Sequence, residues 1–400
     1  MGRKFRILQV LTAALHPNKG GVQMTTCKLG RHFSSTSSTV AVFSFAQEGH
    51  QAPEEIELHS ATQGGGTANA GNHKQLVDLL GSFKPDVVIN QMPYEHSIGE
   101  TLRLNQSYLL LGCLRNTLFS VKGDLDAYLR KVVPSKFRPF FNNPIGRKLL
   151  LTHHRRRHRA DLEKILHTYD HFVMFGAPNL EELRYFVPEF REEQIRLIPN
   201  SIPDVADKPP PKEKRLLWLG RMAHEQKRAE LIVPIWERVS QALPDWELDV
   251  VGDGPLLEEL KQQASEKELP RIHFHGRQVP DEYYRRAAIF FMTSAFEGFP
   301  NTLVEAQSYG AIPVVFDSYP VASWIVEQGK SGFLVPPFDL NAMAKRIVEV
   351  ARDPASGTLA DGALESARRF HIDRVGAMWQ ELFQSEVSRH QSPDQAAQSD

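Results

Sequence analysis

From residue 216 to 352, short apolar runs alternate with stretches of helical spacing, and this constrains the fold more than any other feature. Strand-like runs fall at 216–219, 247–251, 272–275, 289–293, 312–316 and 332–335. Helical stretches fall between or after them, at 231–243, 255–264, 280–287, 304–309, 321–327 and 340–352. Such alternation builds a parallel sheet with helices on both faces. The first half repeats the pattern less cleanly, with strands at 7–11, 40–44, 87–90, 108–114, 170–175 and 195–199. Its helices are expected at 22–33, 76–83 and 178–186, and residues 45–72 read as a polar, Gly-rich loop with one short strand.

A chain of 400 residues exceeds what one hydrophobic core serves, so two domains are expected. Residues 204–215 are charged and contain Pro209-Pro210-Pro211, the composition of a linker. The expected organisation is an α/β chain of two doubly wound, Rossmann-like domains, 1–203 and 216–370, joined by that linker and facing each other across a cleft. Residues 389–400 are polar and are expected to be a disordered tail.

With 41% apolar and 24% charged residues the chain is of ordinary soluble composition. A formal charge of −1 argues against nucleic-acid binding by overall field. Cys27 and Cys113 are too few and too far apart for a disulfide framework or a metal knuckle, and read as two reduced, buried thiols. No apolar run approaches the roughly 20 residues of a membrane span. The basic start followed by residues 7–15 superficially resembles a leader peptide, but Gln9, Thr12 and the lack of a small-residue cleavage site favour a strand. A cytoplasmic protein is expected. Residues 131–159 carry nine Lys or Arg and no Asp or Glu, with Phe137, Phe140 and Phe141 among them. A solvated helix face is one reading; docking to an anionic membrane surface or a polyanionic acceptor is the other. The histidines of that segment lack the spacing and acidic partners of a metal site.

The densest candidate chemistry is Glu297-Gly298-Phe299-Pro300-Asn301-Thr302-Leu303-Val304-Glu305-Ala306. It follows a buried strand and opens a helix that Gly310 stops, so the first helical N–H groups form an anion seat. Glu297 precedes that seat and Glu305 lies about one turn inside. Two carboxylates around a phosphate site suit a diphosphate with a polyol at each end, which is a nucleotide-sugar. By spacing alone they read as two solvated glutamates beside a helix, and it is the surrounding words that favour a site. Arg221 and Lys227 follow the strand ending at Leu219 and suit a leaving diphosphate. Arg277, Gln278 and Val279 end another strand, where backbone can read a base edge. Gly20 and Gly21 precede a helix and let backbone approach a ligand. Arg115 and Asn116 follow a strand end, where open α/β sheets bind their ligands.

The word around Glu297 and Glu305, with Gly310 and Pro313-Val314-Val315 after it, resembles the Glu-x7-Glu signature of the family 4 retaining glycosyltransferases. The resemblance is strong over 198–385 and looser before it. It implies a GT-B fold and transfer of a sugar from a nucleotide-sugar, such as a UDP- or GDP-sugar, with retention at the anomeric carbon. By motif, Arg221 and Lys227 would hold the diphosphate, Glu297 the donor sugar and Glu305 the ribose, with Glu297, Arg221 and Lys227 the catalytic set. Asn301, Thr302 and Leu303 would cradle phosphate, Arg277 to Val279 border the base, and Gly20 and Gly21 close over the diphosphate. The N-terminal domain would bind the acceptor, with Arg115, Asn116 and Tyr94 on that side, and a helix at 371–388 would return to it. A glycan or lipid-linked acceptor, cell-surface polysaccharide synthesis and no metal cofactor are implied in the same way, and the basic segment 131–159 motivates a place on the inner face of a membrane. Asp124-Leu125-Asp126 has metal-binding spacing but sits in a predicted helix. One departure stands out. Many members carry a His-Asn word where this chain has Arg115-Asn116, and an arginine stays protonated and cannot act as a general base. The alternatives are an epimerase of the same fold and a non-catalytic nucleotide-sugar binding module.

Overall fold

The computed structural model describes residues 3–104, 107–123, 125–202, 205–353 and 355–390. Asp124 and residues 391–400 of the expected tail therefore lie outside the described residues. The chain divides into two compact units, one of residues 1–115, 155–203 and 372–400, the other of 116–154 and 204–371.

The chain opens with β1 (Arg6–Leu11), α1 (Gly21–Ser35), β2 (Thr39–Ser44), β3 (Glu57–Ser60), α2 (Ala70–Phe83), β4 (Val87–Asn90), α3 (His96–Arg103) and β5 (Leu109–Cys113). A helical stretch follows: α4 (Ser120–Gly123), α5 (Leu125–Val132), α6 (Arg138–Phe141) and α7 (Pro144–Thr168). Then come β6 (His171–Met174), α8 (Ala177–Phe186) and β7 (Ile195–Leu197). These strands form one parallel sheet in the order β3-β2-β1-β4-β5-β6-β7. Strands β4 and β5 are buried along their whole length, which is why they read as unbroken apolar runs rather than alternating ones.

The rest comprises β8 (Glu213–Leu219), α9 (Ile232–Ala242), β9 (Glu247–Val251), α10 (Leu257–Glu266), β10 (Ile272–Gly276), α11 (Asp281–Arg286) and β11 (Ala287–Met292). It continues with α12 (Asn301–Ser308), β12 (Ile312–Phe316), α13 (Pro320–Ile325), β13 (Phe333–Val335), α14 (Leu340–Arg352), α15 (Ser356–Arg368) and α16 (Ile372–His390). The second sheet is also parallel, in the order β10-β9-β8-β11-β12-β13. Its core includes Trp218, Trp236, Phe291, Phe316, Met343 and Ile347.

Helix α16 belongs to the first unit, where it packs on α1 and β5. Trp379 and Phe383 meet Phe33 edge to face, with ring centroids 6.2 and 5.4 Å apart. Gly376 permits the approach, since a Cβ there would lie 1.8 Å from His32 Nε2. Glu386 of α16 also pairs with Arg196 at 2.9 Å and lies 3.3 Å from His171.

Strand β8 begins at Glu213, inside the stretch whose composition reads as linker. Its first charged residues are spent within the unit. Arg215 Nη1 donates to both oxygens of Asp249 at 3.0 and 2.9 Å, and Arg286 donates through Nε and Nη2 to the two oxygens of Glu213 at 2.7 and 2.8 Å. Partners 34 and 73 residues away are invisible to local composition.

Both sheets reverse strand order once, between β1 and β4 in the first and between β8 and β11 in the second. Loops leaving the carboxyl ends at such a reversal part and leave a crevice, the usual ligand position in open α/β sheets.

Candidate functional site

In the second unit the reversal lies between the loop after β8 and the loop after β11. These loops carry Lys227 and Glu297. Main chain and side chain stitch them together: Ala295 N–H donates to Gln226 O at 2.8 Å, and Thr293 Oγ1 donates to Lys227 O at 2.7 Å. Trp218 Nε1 in turn donates to Thr293 Oγ1 at 2.9 Å, tying the pair to the core. The neighbouring strand ends touch backbone to backbone. At Gly252, φ is +134° and a Cβ would fall 1.9 Å from Gly220 O.

Glu297 is 5% exposed, too deep for a carboxylate without partners. Three donors meet it: Lys227 Nζ at 2.6 Å and Ser294 Oγ at 2.7 Å on Oε1, and Gln226 Nε2 at 2.9 Å on Oε2. The pair is therefore fixed in place, the arrangement in which a buried ion pair is retained rather than lost to desolvation. Tyr319 lies close by, its hydroxyl pushed well above the ordinary tyrosine range by burial first and then by Glu297 and Asp317.

Beside this pair α12 starts at Asn301 without a side-chain cap or an acidic residue in its first turn. Asn301 N–H donates to Phe299 O and Leu303 N–H to Pro300 O. Among the described residues, Thr302 is the one of the three whose N–H has no backbone acceptor, and its buried hydroxyl has no partner either. The anion seat expected over Asn301, Thr302 and Leu303 thus narrows to Thr302. Glu305 is half-buried one turn on and accepts a 3.0 Å hydrogen bond from Tyr284 of α11. Burial, and then Glu305 itself, holds the Tyr284 hydroxyl protonated well above its usual range.

Arg221 is exposed at the end of β8, and among the described residues its guanidinium makes no hydrogen bond or ion pair. Arg277, Gln278 and Val279 are exposed after β10; Gln278 folds back to donate to His275 O at 3.1 Å, and Val279 is 70% exposed.

In the first unit, Gly20 and Gly21 open α1 after β1, at that sheet's own reversal. Gly20 has φ +69°, and a Cβ there would lie 2.2 Å from Gln23 Oε1. Arg115, half-buried past β5, donates through Nε to Gln91 Oε1 at 2.6 Å and through Nη1 to Asn200 Oδ1 at 3.0 Å. Gln91 passes the chain on to Gln9 at 2.8 Å. Burial lowers the Arg115 pKa from its ordinary value, opposed by Cys113. These hydrogen-bond acceptors are neutral amides. Asn116 is exposed and its side chain accepts from Thr117 N–H; Tyr94 stacks on His158 at 5.5 Å, with its hydroxyl 3.4 Å from Nε2.

Sequence reasoning picked out Lys227, Glu297 and Glu305 and missed Gln226, Ser294 and Tyr284. Gln226 and Ser294 carry a faint signal, a polar amide and a hydroxyl next to the chosen charges in strand-end loops. Tyr284 carries none, because it reads as one more buried aromatic. Among the described residues no three His, Cys, Asp or Glu side chains gather as a metal site, and no helix is long and apolar enough to cross a membrane.

Residues 213–353 match the family model described as glycosyl transferases group 1. The lipopolysaccharide 1,6-galactosyltransferase of Salmonella typhimurium is 33% identical over 150 residues, 35% of this chain and 40% of that protein. The chain spans less than half the length of the curated relatives it matches. Among solved structures, the apo lipopolysaccharide outer core galactosyltransferase WaaB superposes with a TM-score of 0.68 at 18% identity, over 95% of this chain and 99% of that one. The Anabaena protein HepE in complex with UDP and glucose does so with a TM-score of 0.68 at 16% identity, over 95% of this chain and all of that one. The chain thus has the GT-B fold, two Rossmann-like units, and its residues 213–353 are similar to the glycosyl transferases of group 1.

Proposed function

We propose that this protein moves a sugar from a nucleotide-sugar to a glycan or lipid-linked acceptor, with retention at the anomeric carbon, in cell-surface polysaccharide synthesis. The observation that carries the reading is the Lys227–Glu297 pair at 2.6 Å, set at the strand reversal of the second sheet beside the open start of α12. As the sugar–phosphate bond breaks, negative charge gathers on the diphosphate. Lys227, held by Glu297, and the Thr302 N–H and hydroxyl are assigned to meet it already in place, and the exposed Arg221 is assigned to close on it when the donor binds. The reading calls for no metal, since two cations and a helix terminus supply the charge. Glu297 holds Lys227 and faces the donor sugar; Glu305, steadied by Tyr284, takes the ribose hydroxyls. On the acceptor side, Arg115 is assigned to orient rather than to accept a proton.

The HepE complex with UDP supports a UDP-sugar as the first donor to try, and the Salmonella relative's name supports galactose among the sugars tested. The test is release of nucleoside diphosphate from a panel of UDP- and GDP-sugars in the presence of lipid-linked glycans, with the product's anomeric configuration read by NMR. A product that keeps the donor's configuration is expected. An inverted product removes the retaining mechanism, isomerised donor in buffer alone indicates an epimerase, and binding without transfer or hydrolysis indicates a binding module.

A further inference from the structure

Half of the ten strongly exposed large apolar side chains among the described residues fall within 132–149: Val132, Phe137, Phe140, Ile145 and Leu149, from 45% to 74% exposed. They do not belong to a loose loop. Leu129, Val133 and Leu150 are buried together with Phe141 against them, so the segment has its own small core and turns a second apolar set outward. Asn143 caps α7 by accepting from the N–H groups of Ile145 at 3.1 Å and Gly146 at 2.9 Å. Gly146 lets the two helices close up, because a Cβ there would lie 2.6 Å from Phe141 Cα. Arg138 locks the turn through Val133 O at 3.0 Å and Arg130 O at 2.9 Å.

Within 131–159 the Lys and Arg side chains around the outward set have no acidic residue among them. Lys136 and Lys148 are exposed, Arg138 and Arg147 half-buried, and α7 continues with exposed Arg155, Arg156 and Arg157. On α7, Ile145 and Leu149 are one turn apart and so share a face, with Lys148 between them. From this we infer that the helical segment 132–149 docks on an anionic lipid bilayer, with Phe140, Ile145 and Leu149 entering the interface and Lys136 and Lys148 meeting lipid phosphates. Cations and apolar side chains on one surface are what such an interface rewards. A polyanion in solution gains nothing from exposed Phe140 and Ile145. A second copy of the same face would bring like charges together.

The test is cosedimentation of the full chain with vesicles of phosphatidylglycerol and phosphatidylcholine, against phosphatidylcholine alone. Two variant pairs at exposed positions separate the contributions, each checked for an unchanged melting temperature. Replacing Lys136 and Lys148 by Gln is expected to weaken binding to the anionic vesicles about 25-fold. Phe140→Ser with Ile145→Ser is expected to weaken it at least about tenfold. Equal binding to both vesicle types, no binding, or variants that bind like the parent overturns the inference. So does a dimer that Phe140→Ser with Ile145→Ser dissociates, since a second copy then covers the face. The assay uses no donor, so its failure leaves the sugar-transfer reading standing.

Discussion

Lys227 and Glu297 are 70 residues apart, and their contact adds an ion pair to the hydrogen bonds that join two loops at the strand reversal. Removing one partner and removing both should have opposite consequences. Lys227→Met leaves a buried carboxylate without its cation and should cost about 3–5 kcal/mol in a denaturant melt. Adding Glu297→Gln should restore most of that stability, while donor turnover stays down by about 10²–10³-fold in both variants. A double variant as unstable as the single one would mean the pair is not the partner set described. Recovery of turnover would mean Lys227 serves structure alone. Both charges were legible in the sequence because they stand in short words at strand ends. Gln226, Ser294 and Tyr284 were not, since what marks them is proximity in space to a buried or half-buried carboxylate.

At the scale of elements, the alternation of apolar runs with helical spacing made the parallel sheets legible, and α14 spans the 340–352 expected for it. The start of β8 escaped because its charged residues are neutralised by Asp249 and Arg286, far along the chain. The segment 131–159 was legible as basic, but which apolar side chains it turns outward depends on the packing of Leu129, Val133 and Leu150. The seat of α16 carries a pH dependence of its own. Burial, reinforced by Arg196, lowers the pKa of His171 against the pull of Glu386. A histidine whose folded pKa lies below its unfolded value of about 6.5 contributes stability that is present above that pH. That contribution is lost as the pH falls through the unfolded pKa towards the folded one. His171→Gln should therefore flatten the decline in melting temperature between about pH 7 and pH 5. An unchanged decline would show that His171 does not charge on unfolding in that window.

Across the whole molecule, both units are parallel sheets that reverse order once beside their first strand, and the groups with candidate chemistry follow carboxyl ends of strands. In the second unit the nucleotide-sugar reading rests on that placement together with Glu305 and its Tyr284 partner. The most direct test is the melting temperature of the parent and of Glu305→Ala with nucleoside diphosphates and nucleotide-sugars. A ligand at a hundred times its Kd adds about 2.7 kcal/mol to the native state, a rise of several degrees. The account predicts such a rise with one nucleotide class for the parent and its loss in Glu305→Ala. No rise with any of them, or an equal rise in the variant, would contradict it.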